Sequence, residues 1–411
     1  MSEHVTLKRS LSLWLFTLYG LGTTIGAGIF VLVGKVAGVS GMYAPVAFLV
    51  AALLAGGAAL AFAELSGRYP LSAGEAVYVH EGLGLRWLAL LVGLAVAAAG
   101  LISAATIARG FVGYLQDFVD VSPTVAVTGV LMLIGLIAAW GIAESVTIAA
   151  LFTLAEAGAL IAVIAVGAPA LATVPERLPE LLPPFESVAW VGIMAGAVLA
   201  FYAFLGFEDM VNVAEEVRDA PRILPRSILL VLVLTALLYV GVATVAVLVL
   251  PLEELAASKA PLAAVYEAAS DLSPTPISLV ALVAVLNGAL VQLIMASRVL
   301  YGLSSRGWLP GWLGTVHPRT RTPLIATGIV TGLCLLLAVA FPIVTLARAT
   351  AYVTLTIFAL VNLALWWLKA RAPSVPGVFT LPRWVPLVGF VACIAMLAFD
   401  VVQLFLGGAA H

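Results

Sequence analysis

Nine residues, Gly22-Thr23-Thr24-Ile25-Gly26-Ala27-Gly28-Ile29-Phe30, interrupt an apolar segment that runs from about Leu11 to Val36. A segment of that length can cross the hydrocarbon core of a bilayer, which takes about 20 apolar residues. Three glycines within seven residues make a poor helix interior. Lipid offers no water to take up freed N–H and C=O groups, so a break at that depth must be lined by protein or put to use. Half-helix ends expose amides on one side and carbonyls on the other, and together these can hold a small charged solute.

Most of the rest of the chain repeats the apolar pattern without a break. Of 411 residues 63% are hydrophobic and 10% charged, with a mean hydropathy of +1.18, more apolar surface than a soluble domain of this length can bury. The expected class is an all-α polytopic membrane protein. Eleven spanning segments are read at 11–36, 43–66, 84–114, 122–140, 143–168, 189–213, 223–250, 275–303, 323–341, 345–368 and 385–407. The longest gaps, about 169–188 and 251–274, are too short for a soluble domain. Lys8 and Arg9 precede a run long enough to span, with more membrane after it, so a cleaved leader is not expected.

Several function classes drop out. The net charge of −2 and the lack of a basic cluster argue against nucleic acid. Cys334 and Cys393 lie far apart inside apolar runs and read as packing residues rather than a disulfide or metal site. The four histidines form no ligand cluster. No nucleophile with a paired base and no phosphate loop is found, so the chain is not expected to be an enzyme, and no cofactor or metal is implied. With the N-terminus in the cytoplasm, fourteen of the 19 lysines and arginines fall on the inner side, and only Lys35, Arg109, Arg177, Lys259 and Arg348 do not. The tail 1–10 is then cytoplasmic and His411 external.

A second interruption answers the first. Segment six reads Ala200-Phe201-Tyr202-Ala203-Phe204-Leu205-Gly206-Phe207-Glu208-Asp209: apolar helix to Tyr202, then an acidic pair just after Gly206-Phe207. Segments one and six are five spans apart and enter from opposite sides. Two broken helices at corresponding places of two inverted halves point to a secondary transporter with its site between them. The halves are 11–168 and 189–368, with 385–407 as an additional helix.

At these residues the chain resembles the amino acid–polyamine–organocation superfamily of permeases. Gly22 to Phe30 is similar to the first-helix signature of that family. Ala63-Glu64-Leu65-Ser66 with Pro70, Gly74 and Tyr78 resembles its loop between helices two and three. Phe201 to Glu208, with Ala214-Glu215-Glu216-Val217 and Pro225-Arg226-Ser227-Ile228, resembles helix six and the loop after it. Ser297-Arg298-Val299-Leu300-Tyr301, with His317-Pro318 and Thr322-Pro323, resembles the end of helix eight. The resemblance covers roughly residues 10–370. It implies a five-plus-five inverted-repeat transporter fold with helices one and six unwound at mid-membrane, and uptake or exchange of amino acids or related amines, usually driven by protons. Many members have twelve helices. Eleven here leave the core intact and the oligomeric state open.

An amino acid zwitterion at mid-membrane needs N–H donors for its carboxylate and acceptors for its ammonium. The resemblance assigns the carboxylate to Thr24, Ala27 and Gly28 around Gly26, and the ammonium to carbonyls of Thr24, Tyr202, Ala203 and Leu205. The competing reading of Gly22 and Gly26 is a small-residue packing face. Tyr202, Phe204 and Phe207 are expected to line a side-chain pocket, with Tyr202 as a gate, although such aromatics also serve as plain core. Glu208 is the strongest ionisable candidate, since a carboxylate in an apolar segment costs on the order of 3 kcal/mol. Desolvation would let it carry a proton near neutral pH, and the alternative is a cap on freed amides. Asp209 shares that role or is itself the cap. Glu156 stands where some members of the family carry a lysine that replaces a sodium ion. It could be protonated, bind a cation or pair with a base, so lysine-based coupling does not carry over.

Helix eight offers only Asn287 and Gln292 between Ser278 and Ser297, which disfavours sodium, and Gln292 reads as packing. Arg109 is expected to snorkel, and Glu215, Glu216, Arg218 and Arg222 to form a cytoplasmic ion network. The combined reading is a transporter of a neutral amino acid in the inner membrane of a prokaryote, with protons as coupling ion through Glu208 and Glu156 and the lipid bilayer as its surroundings. Two intramembrane glutamates would also suit a cationic amino acid or polyamine. A sensor that binds without moving its solute is the alternative from another class.

Overall fold

All spanning elements of the computed structural model are α-helices, and it describes residues 11–71, 74–116, 118–140, 146–185, 187–305, 307–320 and 322–408. Lys8 and Arg9, the joint between segments four and five, Arg321 and His411 lie outside the described residues. The first span is two pieces, α1 (Leu13–Thr24) and α2 (Ala27–Ser40), and a turn at Gly41 (φ +60°) leads into α3 (Ala44–Arg68). Then follow α4 (Gly74–Leu83), α5 (Arg86–Leu115), α6 (Pro123–Trp140) and α7 (Val146–Val166). Short helices α8 (Ala168–Leu171) and α9 (Val174–Leu181) occupy the connection to α10 (Ser187–Ala203), which passes into a 3-10 segment, Glu208–Glu216. The second half continues with α11 (Ala220–Val249), connecting helices α12 (Leu252–Ala257) and α13 (Pro261–Ser270), and α14 (Thr275–Ser305). It closes with α15 (Leu324–Ala340), α16 (Ile343–Arg371) and α17 (Trp384–Gly408).

Eight apolar helical runs among the described residues reach spanning length. One of these, Gly28–Arg68, contains the Gly41 turn and is two passes, and the shorter apolar helices Ala150–Val166 and Leu324–Ala340 complete eleven. The expected segment edges agree within a few residues, with one exception. Segment six stops as an α-helix at Ala203 rather than 213, because Gly206 adopts φ +121°, which a regular helix cannot continue through. The sequence reading also missed α4, a ten-residue helix beyond α3 on the side of the N-terminus.

Small residues set the helix spacing. In lipid no hydrophobic drive pushes helices together, so close backbone approach supplies the packing. The buried face of α3 is an alanine ladder (Ala47, Ala51, Ala55, Ala58, Ala59), and a Cβ on its Gly57 would meet the Cα of Gly389 on α17 at 3.4 Å. The inner ends of the two broken spans are tied together. Leu11 bridges Val217, the Arg218 amide donates to the Leu11 carbonyl at 3.0 Å, and the Thr17 hydroxyl donates to Ser227 at 3.2 Å.

The Arg109 guanidinium, expected to snorkel, donates to the Ala338 carbonyl near the end of α15. Near segment six, Arg222 contacts Asp219 at 3.5 Å on an exposed surface. The buried ion cluster lies elsewhere. Glu64, fully buried on α3, accepts from Arg68 one turn on and from Lys369 Nζ of α16 at 2.7 Å, while its other oxygen accepts the Leu381 amide at 2.8 Å. Lys369 and Arg68 also donate to the Pro373 carbonyl, so the cluster clamps the start of the α16–α17 connection against α3. Breaking a buried pair leaves an uncompensated charge, which costs about 3–5 kcal/mol. Glu64→Gln is therefore expected to shorten the half-life of detergent-solubilised protein on heating far more than Arg222→Gln, whose ion pair is exposed. Equal half-lives would contradict this.

Candidate functional site

The two breaks cross one another. The α1 helix ends with the Ile25 amide bonded to the Leu21 carbonyl and the Gly26 amide bonded to the Thr24 carbonyl at 3.0 Å. The α2 helix restarts at Ala27 with Gly26 as its N-cap and no side-chain cap, so the first amides, those of Ala27 and Gly28, stand at the positive end of a half-helix. Opposite, α10 unwinds after Ala203 into turns closed by Phe204 N to Phe201 O at 3.0 Å and Leu205 N to Tyr202 O at 3.2 Å.

Glycines permit the approach. A Cβ on Gly28 would lie 2.4 Å from the Cα of Ala203, and one on Gly206 would lie 2.1 Å from the carbonyl oxygen of Thr23. The Thr23 hydroxyl donates to the Gly206 carbonyl at 2.9 Å, and the Tyr239 hydroxyl of α11 donates to the Thr24 carbonyl at 2.8 Å. These contacts leave no room for side chains at either glycine. By contrast, a Cβ on Gly26 would meet nothing within 4 Å, because that residue faces a cavity.

The cavity lies against the crossing. Its walls include Thr24, Gly26 and Gly28 from the first span and Tyr202, Ala203 and Leu205 from the sixth. The structure brings these six expected residues together, and the Ala27 backbone lies between two of them. Phe204 and Phe207 do not line it. Both are fully buried on the other side of the unwound turn, Phe204 against Tyr239 with ring centroids 5.1 Å apart and Phe207 against Phe62 and Phe358. The turn at Gly206 changes the direction of the chain, so helical spacing no longer tells which face a side chain takes. Tyr202 does line the cavity, and its hydroxyl is tied to Ser103 of α5 at 3.0 Å.

Of the further walls, Asn287 and Gln292 were noted from sequence, whereas Ser103, Ile107, Thr153 and Val291 were not singled out. They come from unbroken helices: Ser103 and Ile107 of α5, Thr153 of α7, and Asn287, Val291 and Gln292 of α14. Gln292, expected to be packing, faces the cavity and donates to Asp209 at 3.0 Å. Lone hydroxyls and amides in an apolar helix give no sequence signal that separates these roles. Among the described residues, no formally charged side chain lines this cavity.

The acids lie beside it. The Glu208 carboxylate accepts the Gly206 amide at 2.8 Å, so it caps a donor freed by the break. It lines a second cavity with Asp209 and with Glu75 of α4, and Ser103, Leu205 and Gln292 form walls of both cavities. Glu156 of α7 is in neither. It is 2% exposed, one turn beyond Thr153, and its Oε2 has no hydrogen-bond partner. Among the described residues no group of His, Cys, Asp and Glu could hold a metal ion.

The glycine geometry gives a direct test. Gly206→Ala forces a methyl into the Thr23 carbonyl at a positive φ and is expected to abolish ligand-induced thermal stabilisation. Gly26→Ala is expected to yield protein that elutes as wild type, since its methyl enters open space. Retained ligand stabilisation in Gly206→Ala would contradict the crossing.

Known proteins share this architecture. A family model described as amino acid permease matches residues 11–411. The branched-chain amino acid permease BcaP of Bacillus subtilis (strain 168) is 29% identical over 93% of this chain and 85% of its own. The methylthioribose transporter of the same organism is 27% identical over 95% of this chain and 87% of its own. The vacuolar cationic amino acid transporter 4 of Arabidopsis thaliana is 29% identical over 86% of this chain but 62% of its own. The crystal structure of MhsT in complex with L-phenylalanine superposes with a TM-score of 0.65 at 16% identity, covering 96% of this chain and 99% of that one, and shares the fold. This chain is a multi-pass membrane protein with the five-plus-five inverted-repeat transporter fold, and it belongs to the amino acid permease family of the amino acid–polyamine–organocation superfamily.

Proposed function

We propose that the protein moves a neutral amino acid across the cytoplasmic membrane of a prokaryote by alternating access, coupled to protons. The observation that carries the reading is a cavity at the crossed breaks whose walls hold peptide dipoles, hydroxyls and amides but no charged side chain. Amides of Ala27 and Gly28, beside Thr24, take the carboxylate. Carbonyls of Tyr202, Ala203 and Leu205 take the ammonium, while that of Thr24, also expected there, already accepts from the Gly26 amide and the Tyr239 hydroxyl. Each charge-assisted bond of this kind is worth about 1.5–3 kcal/mol. A cationic side chain in the same cavity would have no counter-charge among these walls, which is costly in a desolvated site. Tyr202 gates the cavity through its bond to Ser103.

Glu208 is the coupling carboxylate. It holds the Gly206 amide at the break and borders a cavity that shares walls with the first, so a change in its charge acts on the sixth-span turn that binds the ammonium. Glu156 is the second candidate, a buried acid with an unpartnered oxygen one turn from a cavity wall. The N-terminus is assigned to the cytoplasm on the distribution of basic residues.

One observation favours a second reading. Glu75, Glu208 and Asp209 stand close enough to the solute cavity to receive a cationic side chain, so a cationic amino acid or polyamine remains the alternative. Uptake of labelled alanine, leucine, phenylalanine, lysine and arginine into proteoliposomes separates the two. The expected outcome is accumulation of a neutral solute driven by an inward proton gradient, and a drop of about tenfold or more in Glu208→Gln. Uptake of lysine or arginine alone would favour the alternative, and neutral uptake indifferent to Glu208→Gln would remove the coupling role.

A further inference from the structure

The second cavity contains an acid that the transport reading does not use. Glu75 lies near the N-terminal end of α4, which is a connecting helix and not a span. It is 4% exposed, lines the cavity, and has no side-chain partner among the described residues. Glu208 and Asp209 face the same space from the 3-10 segment, and the Asp209 carboxylate accepts from Gln292, a wall of the solute cavity. The other elements around the cavity present only neutral groups to it: Ser103 of α5, Gln292 of α14, and Thr350 and Thr354 of α16.

The cations on those elements are committed elsewhere. Arg86 lies over the Trp308 ring and Arg109 bonds Ala338. On α16, Arg348 faces Asp400, Lys369 holds Glu64 and Arg371 lies over Trp367. Arg298 of α14 is exposed. Three carboxyl groups around one buried cavity, with no basic side chain lining it among the described residues, repel one another when ionised, which favours holding protons or another cation there. Burial, opposed by a hydrogen bond from its own backbone and reinforced by the charge of Asp209, pushes the Glu75 carboxyl up to about 7.

We propose that Glu75 is a proton-binding residue of the transport cycle, sharing protons with Asp209 and Glu208 in the second cavity and exchanging them with the cytoplasm at α4. In the transfer the O–H bond of a carboxylic acid on the 3-10 segment breaks and a new one forms on a Glu75 carboxylate oxygen. No other bond changes. Gln292 connects this step to the solute, because it donates to Asp209 with the same side chain that walls the central cavity. The proposal rests on proton-coupled transport of a neutral amino acid.

The test compares full-length wild type, Glu75→Gln, Glu75→Asp and Asp209→Asn in proteoliposomes, with a labelled mixture of alanine, leucine and phenylalanine as probe. Proton-gradient-driven accumulation and solute counterflow, which moves no net proton, are measured side by side. Glu75→Gln is expected to lose gradient-driven accumulation by about tenfold or more while counterflow changes by less than about threefold. Glu75→Asp is expected to restore the driven component and its pH profile. Asp209→Asn is expected to repeat the Glu75→Gln pattern and decides the matter if Glu75→Gln does not fold. Undiminished driven accumulation in both neutralised variants overturns the proposal, and equal loss of counterflow overturns it in favour of a structural role. Wild type without driven accumulation removes the coupling reading and this proposal with it, whereas a driven wild type with unaffected variants removes this proposal alone. Loss of labelled arginine uptake in Glu75→Gln with neutral accumulation intact would make the cavity a cationic side-chain subsite and also overturn it.

Discussion

The structure turns on one close approach, where Gly28 meets Ala203 and Gly206 meets the Thr23 carbonyl. Two helices that stayed intact could not cross there, because their backbone polar groups would point inward and their side chains would collide. Unwinding one of them alone would leave bare amides and carbonyls in a medium that cannot solvate them. The crossing supplies missing partners: the Thr23 hydroxyl of the first break serves the Gly206 carbonyl of the second, and Tyr239 of α11 serves the carbonyl of Thr24. The amides of Ala27 and Gly28 remain without a side-chain cap, so the same economy that stabilises the crossing leaves donors for a solute.

The surroundings hold this crossing rigid. An aromatic cluster of Phe62, Phe201, Phe207 and Phe358 packs behind the unwound turn, with centroids 5.3–5.9 Å apart in edge-on and tilted pairs. Such pairs add roughly 0.5–1.5 kcal/mol each beyond area burial. At the N-terminal end of α1, Leu11 with Val217 ties the first span to the end of the 3-10 segment, and Thr17 with Ser227 ties it to α11. A solute that changes the geometry at the breaks therefore acts on a joined pair of elements and not on a loose loop. This is the kind of two-state element that alternating access requires.

Much of this was legible because its signals are local. The glycine spacing from Gly22 to Gly28 and the apolar run ending in Gly206-Phe207-Glu208 are read within nine or ten residues, and the span edges follow from hydropathy. What was lost is non-local or directional. Glu64 finds Lys369 across 305 residues of sequence, and nothing near either residue announces the other. Phe204 and Phe207 were read as pocket residues because they neighbour Tyr202, but the chain unwinds after Ala203 and both join the core. Gln292 read as packing, and its position beside both cavities is visible only in the structure. The α4 helix escaped because ten residues of mixed polarity between spans give no spanning signal, and with it went Glu75.

The division between broken and unbroken helices has a consequence for specificity. In the proposed reading, peptide dipoles at the breaks recognise the amino and carboxylate groups that all α-amino acids share, and they do so without reference to a side chain. Walls that play no part in the crossing, among them Ile107 on α5 and Gly288, Val291 and Gln292 on α14, are where one solute can be told from another. Those helices keep their backbone bonds internal, so a residue on them can change size or polarity without exposing an amide to lipid. A Cβ on Gly288 would approach Ile107 at an ordinary 3.6 Å, so even that wall has room to change. The fold can therefore exchange one solute for another by substitutions on α5 and α14, while the breaks that make transport possible stay fixed by their mutual hydrogen bonds.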